Sequence, residues 1–508
     1  MAELHGVETI ELTSGTVAVT TIQTAVIGLV GTAPDASPGT KAQAVTGTAL
    51  LDNELTFTAS QPGRAGNQLR VTAVVAPAGG KTSATYARGV LEILLASDAD
   101  GKLTATAQEV SDAVLALTDS LVTVLPGADT GKVSPFSVVL SGGQDEPFPL
   151  NTPVAVVGGT QMRALGSAGT IPPAVQEIAD QTNALIVIVR VEDNEQPVTV
   201  STEEKEPITA EDEQRLLSDQ IFNIDIRANI LAGINAWSSS ESVNGYRPRI
   251  LIAPGFSEDD GIGKGLETAA EKLRAVAYLD CASMATLPEV VQRRQMYGGR
   301  VELLRPRVQK VNASGELEFR PYSAFAAGLR ARIDLEKGWW WSKSNQDINS
   351  ILGLEQVDEF ILGDPNCEAN LLNMQNVSTI IRRTGYKHWG NRLCIDHPQW
   401  RFESVRRTAD VIEDSIQNTV MIYNDRPLDK ETADDILGTV NAYLRQLVGL
   451  GAIFGGTAWL DEELNTAESL AAGVLYINYD FGPKSPTERI TMRVRINNDY
   501  AVEEMTAQ

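Results

Sequence analysis

Arg249-Ile250-Leu251-Ile252-Ala253 and Ala277-Tyr278-Leu279-Asp280-Cys281 are two short apolar runs, and between them Gly265–Val276 reads as a helix. Strand, helix and strand in immediate succession predict an α/β unit with a buried sheet. The alternation continues on the N-terminal side. Val154–Val157 is apolar, Pro172–Gln181 reads as a short helix, Leu185–Val191 is an apolar strand, and Gln220–Ala236 is a second helix. Residues 192–213 are acidic and interrupted by proline, so they read as a loop. A further buried-strand candidate, Ala25–Ala33, is stopped by the turn-forming stretch Pro34 to Gly39. Together these pieces predict an α/β middle domain built from 23–37 and 147–342.

Between them, residues 38–146 change composition: Thr, Ala, Val and Gly dominate, and alternating runs such as Leu69-Arg70-Val71-Thr72-Ala73-Val74 recur. This reads as an inserted, mostly β surface domain with a turn at Pro62–Asn67 and one helix at Ser111–Asp119. Insertions succeed where both host ends are exposed and close together. Residues 343–508 form an α+β C-terminal domain. Its central helix, Lys430–Val448, follows Arg426-Pro427 and opens with acids that suit the helix dipole. Ile436, Leu437, Val440, Leu444, Leu447 and Val448 make an apolar stripe, while Asp434, Gly438, Asn441 and Arg445 lie on another face. A terminal hairpin is expected from Gly473–Phe481 and Arg489–Ile496, where Ile490, Met492, Val494 and Ile496 alternate with polar residues. Residues 5–22 alternate similarly through Ile10, Leu12, Val17 and Val19, but no neighbouring segment can close a hairpin with them.

Composition narrows the function. The 508 residues suit roughly three domains. No run approaches the roughly 20 apolar residues of a membrane span, and Met1-Ala2-Glu3-Leu4-His5 lacks a signal-peptide layout. Neither membrane insertion nor export is expected. A formal charge of −24 argues against direct nucleic-acid binding, which relies on Lys and Arg to displace counterions. Cys281, Cys367 and Cys394 fit neither a disulfide framework nor a zinc motif, and His5, His388 and His397 lack ligand spacing. No metal site, cofactor or catalytic residue is expected. Gly261-Ile262-Gly263-Lys264-Gly265 is neither a Walker A nor a dinucleotide fingerprint, and the preceding Ser257-Glu258-Asp259-Asp260 would repel phosphate. It reads as a flexible loop at a helix start. Acid pairs such as Asp434–Asp435 or Glu503–Glu504 read as solvated surface. Trp339-Trp340-Trp341 reads as packing at a domain junction, each indole burying about 150–250 Å².

One ordered set of phrases goes further. It runs from His5-Gly6-Val7-Glu8 and Ala25–Ala33, through Arg249–Phe256 with Arg274–Asp280, to Pro321-Tyr322-Ser323 with Arg332, Asp334 and Gly338 to Asn345. It ends with Leu372-Asn373, Thr379-Ile380, Gly385, Trp389-Gly390-Asn391-Arg392, Trp400, Val405-Arg406-Arg407, Asn465, Gly473, Pro486 and Glu488. This set resembles the contractile phage tail sheath proteins, nearest the temperate-phage and R-type bacteriocin branch, over nearly the whole chain except 38–146. Trp389, Asn391, Arg392, Trp400, Arg406 and Arg407 carry the family's core motif.

The resemblance implies a structural protein rather than an enzyme. Family members stack as hexameric rings in a helical array around an inner tail tube, between baseplate and tail terminator proteins. They assemble in the host cytoplasm, become part of the virion tail, and contract to drive the tube through the host envelope. A bacteriocin or secretion sheath is the alternative particle. The family also implies that terminal arms link subunits by completing a neighbour's sheet. Residues 1–22, with Val7, Ile10, Leu12, Val17 and Val19, and the last strand, with Ile490, Met492, Val494 and Ile496, are the candidates. A C-terminal helix is implied to grip the tube, and the polar face with Asp434, Asn441 and Arg445 suits a weak, releasable contact of about 0–1 kcal/mol per exposed pair. In this family insertions such as 38–146 decorate the tail's outside.

Overall fold

Short runs of apolar residues build one sheet, and their burial explains why they read as nearly continuous hydrophobic stretches. The computed structural model describes residues 18–126, 130–193, 224–312 and 314–506. The chain divides into two compact units: Met1–Val30, Ala174–Val187 and Lys205–Gln508 form one, Gly31–Pro173 and Ile188–Glu204 the other. The sheet strands are β1 (Val26–Thr32), β2 (Leu185–Val191), β3 (Ile250–Ile252), β4 (Val276–Asp280), β5 (Val301–Leu304), β6 (Val377–Arg382) and β7 (Tyr386–Trp389). They lie in the order β7-β6-β5-β4-β3-β1-β2. Pairing is parallel from β1 to β3, β4, β5 and β6, with Leu29 opposite Ile252, Ala277 opposite Val301 and Leu303 opposite Val377. Strand β7 returns antiparallel, His388 facing Ile380.

Because β6 and β7 belong to this sheet, the expected domain boundary at 343 lies too early. Their apolar runs are too short to outweigh the arginines around them in a reading by composition. Helix α1 (Asp260–Leu273) packs on β3 and β4 and starts earlier than expected, with Asp259 accepting from the Ile262 amide at 2.9 Å as its N-cap. The glycines read as a loop are therefore inside a helix. A Cβ on Gly263 would stand 2.2 Å from the Tyr297 hydroxyl, so close packing explains that glycine. Helix α2 (Ser323–Glu336) also packs on β3 and β4 and is buried along most of its length.

The C-terminal part adds α3 (Glu403–Val420), α4 (Lys430–Gly449), the antiparallel pair β8 (Ile453–Leu460) and β9 (Ile477–Pro483), and α5 (Asp499–Thr506). Asp429 caps α4 by accepting from the Thr432 amide at 2.8 Å. Ile412, Ile436, Val440, Tyr443, Leu444 and Leu447 form its core, with Trp339 and Trp340 half-buried against it in an edge-to-face pair at 4.7 Å. Val19 belongs to the same core. Thr21 reaches the Tyr443 hydroxyl at 3.2 Å, and the Ile22 amide donates to Ser415 at 3.1 Å. Val19, expected in a linker arm, is instead packed in its own chain: alternation marks strand potential but does not choose the partner. Val7, Ile10, Leu12 and Val17 lie outside the described residues.

In the other unit, Lys41–Thr46, Leu55–Pro62 and Val122–Pro126 form an antiparallel sheet. Ser83–Ala87, Val90–Leu95, Arg70–Val75 and Phe136–Val139 form a second sheet, with its two central strands parallel. Phe57, Val71, Leu91, Ile93 and Val110 fill the core. The helix of this block is Ala107–Leu115, four residues earlier than expected, because Thr106 and Glu109 form a capping box that sets its start.

Candidate functional site

Helix α3 carries Glu403, Arg407, Asp410 and Asp414 at i, i+4, i+7 and i+11, which aligns them on one face. All four are buried. Each meets an opposite charge from the sheet or the segments beside it. Asp414 accepts from Arg274 at 2.8 Å and pairs with Arg249. Asp410 pairs with Arg300, its second contact at 2.9 Å, and with Arg406 at 3.0 Å. Arg407 pairs with Asp334 and donates to the Thr24 carbonyl at 3.2 Å. Glu403 takes Lys343 at 2.7 Å and the Tyr278 hydroxyl. The helix is thus held by an ionic seam, in which every buried charge has a partner.

Lys343 is the node of that seam. It is 0% exposed, and its ammonium contacts Glu302, Glu403 and the Tyr278 hydroxyl, the last at 3.1 Å, while lying 4.2 Å from the Tyr278 ring centroid. Glu302 also accepts from Ser378 at 2.6 Å. Arg330 is bonded to Asp334 at 2.7 Å and lies 3.8 Å from Glu403. Three cations, Lys343, Arg330 and Arg407, therefore face three carboxylates, Glu302, Glu403 and Asp334. Burial pushes the Glu403 carboxyl up, but Lys343, Arg330 and Arg407 outweigh it and hold it below the usual carboxylate range. Glu302 is likewise lowered, the attraction of Lys343 overcoming burial. Burial keeps Tyr322 protonated and His388 neutral. The Tyr322 hydroxyl and His388 Nδ1 share a hydrogen bond at 2.5 Å, and His388 Nε2 lies 3.3 Å from Glu302.

The motif residues gather around the start of α3. The Asn391 carbonyl accepts the Glu403 amide at 3.0 Å, satisfying the first otherwise unpaired N–H of α3. Trp389 meets Phe360 edge-on at 5.1 Å. Gly390 has φ +158°, and a Cβ there would stand 2.1 Å from the Ser378 hydroxyl that serves Glu302. Arg406 lies 4.4 Å over the Trp400 ring. Arg392 grips both carboxylate oxygens of Glu488, at 2.7 and 2.6 Å, and donates to the Asn373 carbonyl at 3.3 Å. Motif reading missed Glu302, Asp410 and Asp414, and gave no role to Tyr278 and Lys343, which lie within the phrases Arg274–Asp280 and Gly338 to Asn345. The charge stripe on α3 was available as a signal, since a buried helical face with that spacing demands partners.

The face of α4 divides. Asp434 and Arg445 are exposed. Asn441 is not free for a partner: its amide donates to the Ala458 carbonyl at 3.0 Å and accepts the Ala458 amide at 2.8 Å, clamping β8. Strand β8 crosses the middle of α4, a coverage that helical phase alone does not reveal. The expected hairpin is also different. Strand β9 pairs with β8, Tyr479 opposite Ala458, and Arg489–Ile496 forms no strand. From Thr487 to Thr506 every residue is exposed, with Ile490, Met492, Val494 and Ile496 at 78%, 85%, 91% and 87%. Helix α5 buries nothing.

Comparison with known proteins agrees with this architecture. Residues 228–392 match the phage tail sheath protein central domain, and 396–497 match the phage tail sheath C-terminal domain. The junction falls between β7 and α3. The chain is 34% identical to the tail sheath protein of Escherichia phage P2 over 373 residues, covering 72% of this chain and 90% of that one. It is 30% identical over 520 residues to the tail sheath protein of Burkholderia phage BcepMu, covering 98% and 97%. In fold, it is similar to the contracted sheath of an extracellular contractile injection system, with TM-score 0.51 and 16% identity over 70% of this chain and 90% of that one. The contracted helical sheath of the anti-feeding prophage gives TM-score 0.51 and 16% identity over 68% and 89%. This chain belongs to the phage tail sheath protein family.

Proposed function

We propose that this chain is a structural subunit, not an enzyme, of a contractile tail sheath: hexameric rings stacked around an inner tube, shortening to drive that tube through a host envelope. The observation that carries the reading is the C-terminal arm. Residues 487–506 have four large apolar side chains at alternating positions and bury none of them. Such a segment is a strand awaiting a sheet. The β8–β9 ribbon supports the same reading. Two-stranded ribbons are marginal alone, and Ile477, Tyr479 and Phe481 on β9 stay only half-buried although they pack toward a core. A neighbour's arm added to this ribbon would finish that core by strand addition.

Burying Ile490, Met492, Val494 and Ile496 is worth about 6–12 kcal/mol. Ordering roughly eight residues of arm costs about 8–16 kcal/mol. The two nearly cancel, so backbone hydrogen bonds of about 0.5–1.5 kcal/mol each decide capture. The link is then weak singly and strong when repeated along a lattice. Exposed Asp434 and Arg445 on α4 are the proposed tube contacts, Asn441 being withdrawn from that set. Baseplate and terminator proteins would meet the ends of the stack, assembly taking place in the host cytoplasm before the virion is complete. Deleting 489–508 is expected to leave a folded, soluble subunit that forms no tubes in electron micrographs. Tubes of normal wall and length would refute strand exchange through this arm.

A further inference from the structure

The arm is exposed, but its root is not loose. Pro486 is half-buried, and Glu488, the last residue before the apolar alternation, is held by both ends of the Arg392 fork at 2.7 and 2.6 Å. The side chains of this pair are 22% and 25% exposed. Arg392 is itself fixed. A β-bridge joins it to Phe402, the Leu393 amide donates to the Arg401 carbonyl at 2.7 Å, and its third donor reaches the Asn373 carbonyl at 3.3 Å. One residue before it, Asn391 closes the start of α3. A planar, bidentate arginine–carboxylate pair fixes direction as well as distance. Beyond Glu488, among the described residues, the arm has no buried side chain.

We propose that Arg392 is a positioning residue for the C-terminal arm: by clamping Glu488 it sets the point and direction at which residues 489–506 leave the subunit, and so presents them for capture by a second copy of this chain. The inference rests on strand exchange by the arm. It adds a root preorganised by the Arg392–Glu488 pair. Without the clamp the same arm sweeps a larger volume, its effective concentration at the neighbour's sheet falls, and more subunit is needed to polymerise. The pair is partly solvated, so the clamp also weakens with salt.

The test measures the threshold subunit concentration for polymerisation by light scattering, in the full-length chain, at low and high salt. Arg392→Glu and Glu488→Arg are each expected to raise the threshold about fivefold to tenfold, the effect of a bidentate charged pair. The double exchange, R392E with E488R, is expected to return it to within about twofold. Arg392→Lys, which keeps the charge and loses the fork, should fall between. Glu488→Gln lies on the exposed segment and leaves the core intact, so it serves if a substitution at Arg392 prevents folding. Single variants that polymerise at the wild-type threshold, or an exchange no better than its singles, overturn the clamp. Chain lacking 489–508, run in parallel, separates the two ideas: if it polymerises normally, strand exchange fails and the clamp with it, whereas if it does not and the clamp variants behave as wild type, only the clamp fails.

Discussion

Replacing Lys343 by Met removes a cation from a site with no access to water. Lys343 and Glu302 are 0% exposed and Glu403 is 2% exposed. After the substitution Glu403 still has Arg330 at 3.8 Å, but Glu302 keeps only the Ser378 hydroxyl and a neutral His388. Leaving a buried charge without its partner costs about 3–5 kcal/mol. The cost depends on pH in a definite sense. In the wild type, Glu403 and Glu302 are held below the usual range, so their contribution to stability is present above the ordinary carboxylate range and is lost as pH falls. Without Lys343 at least one carboxyl takes a proton more readily, so the variant loses less on acidification. The difference between the two proteins is therefore largest near neutral pH and shrinks toward pH about 4, where unfolded carboxylates also protonate. Urea unfolding followed by tryptophan fluorescence is the assay, since Trp237, Trp339, Trp340, Trp341, Trp389, Trp400 and Trp459 all lie in the larger unit. Adding Glu302→Gln to Lys343→Met should recover more than half of the loss, because it removes the charge left unpaired. A loss below about 1 kcal/mol at pH 7, or one that does not change with pH, would refute the assignment of Lys343 as the node.

Three further outcomes are expected from the same unfolding measurement. Glu177 is buried, bonded to Arg320 at 2.8 Å, and burial pushes its carboxyl up to about 7 against the pull of Arg320 and Lys310. A raised carboxyl is favoured folded while protonated, so wild-type stability should fall as pH rises from about 4.5 to 7, by an amount of order 3 kcal/mol. Glu177→Gln should flatten that segment, and an unchanged slope would sink the idea. Asn441→Ala should cost about 1–3 kcal/mol by leaving the Ala458 backbone groups unpaired. Reversing Asp434 and Arg445 together should change stability by less than about 0.5 kcal/mol while impairing co-assembly with tubes, and equal effects of the two changes would deny the division of that helix face.

Much of this fold is readable locally. Ile250–Ile252, Leu185–Val191 and Val276–Asp280 are strands because buried sheet positions demand apolar side chains on both faces. Helix α4 begins after Asp429 because an acid beside free amides caps a helix wherever it stands. These are properties of a few consecutive residues, so the sequence by itself determined them. The ordered motif phrases likewise marked the family. What the tertiary structure alone decided was choice of partner. The glycines of α1 read as loop until Tyr297 is seen against Gly263. Asn441 reads as surface until β8 crosses it. Val19 and Ile490 belong to equally alternating segments, yet Val19 fills its own chain's core while Ile490 is 78% exposed. Alternation records that a segment can pair, whereas the edge, the core and the countercharge that complete it come from residues far along the chain: Asp414 meets Arg249, 165 positions away, and Glu488 meets Arg392, 96 positions away, because the folded backbone brings them within hydrogen-bond reach.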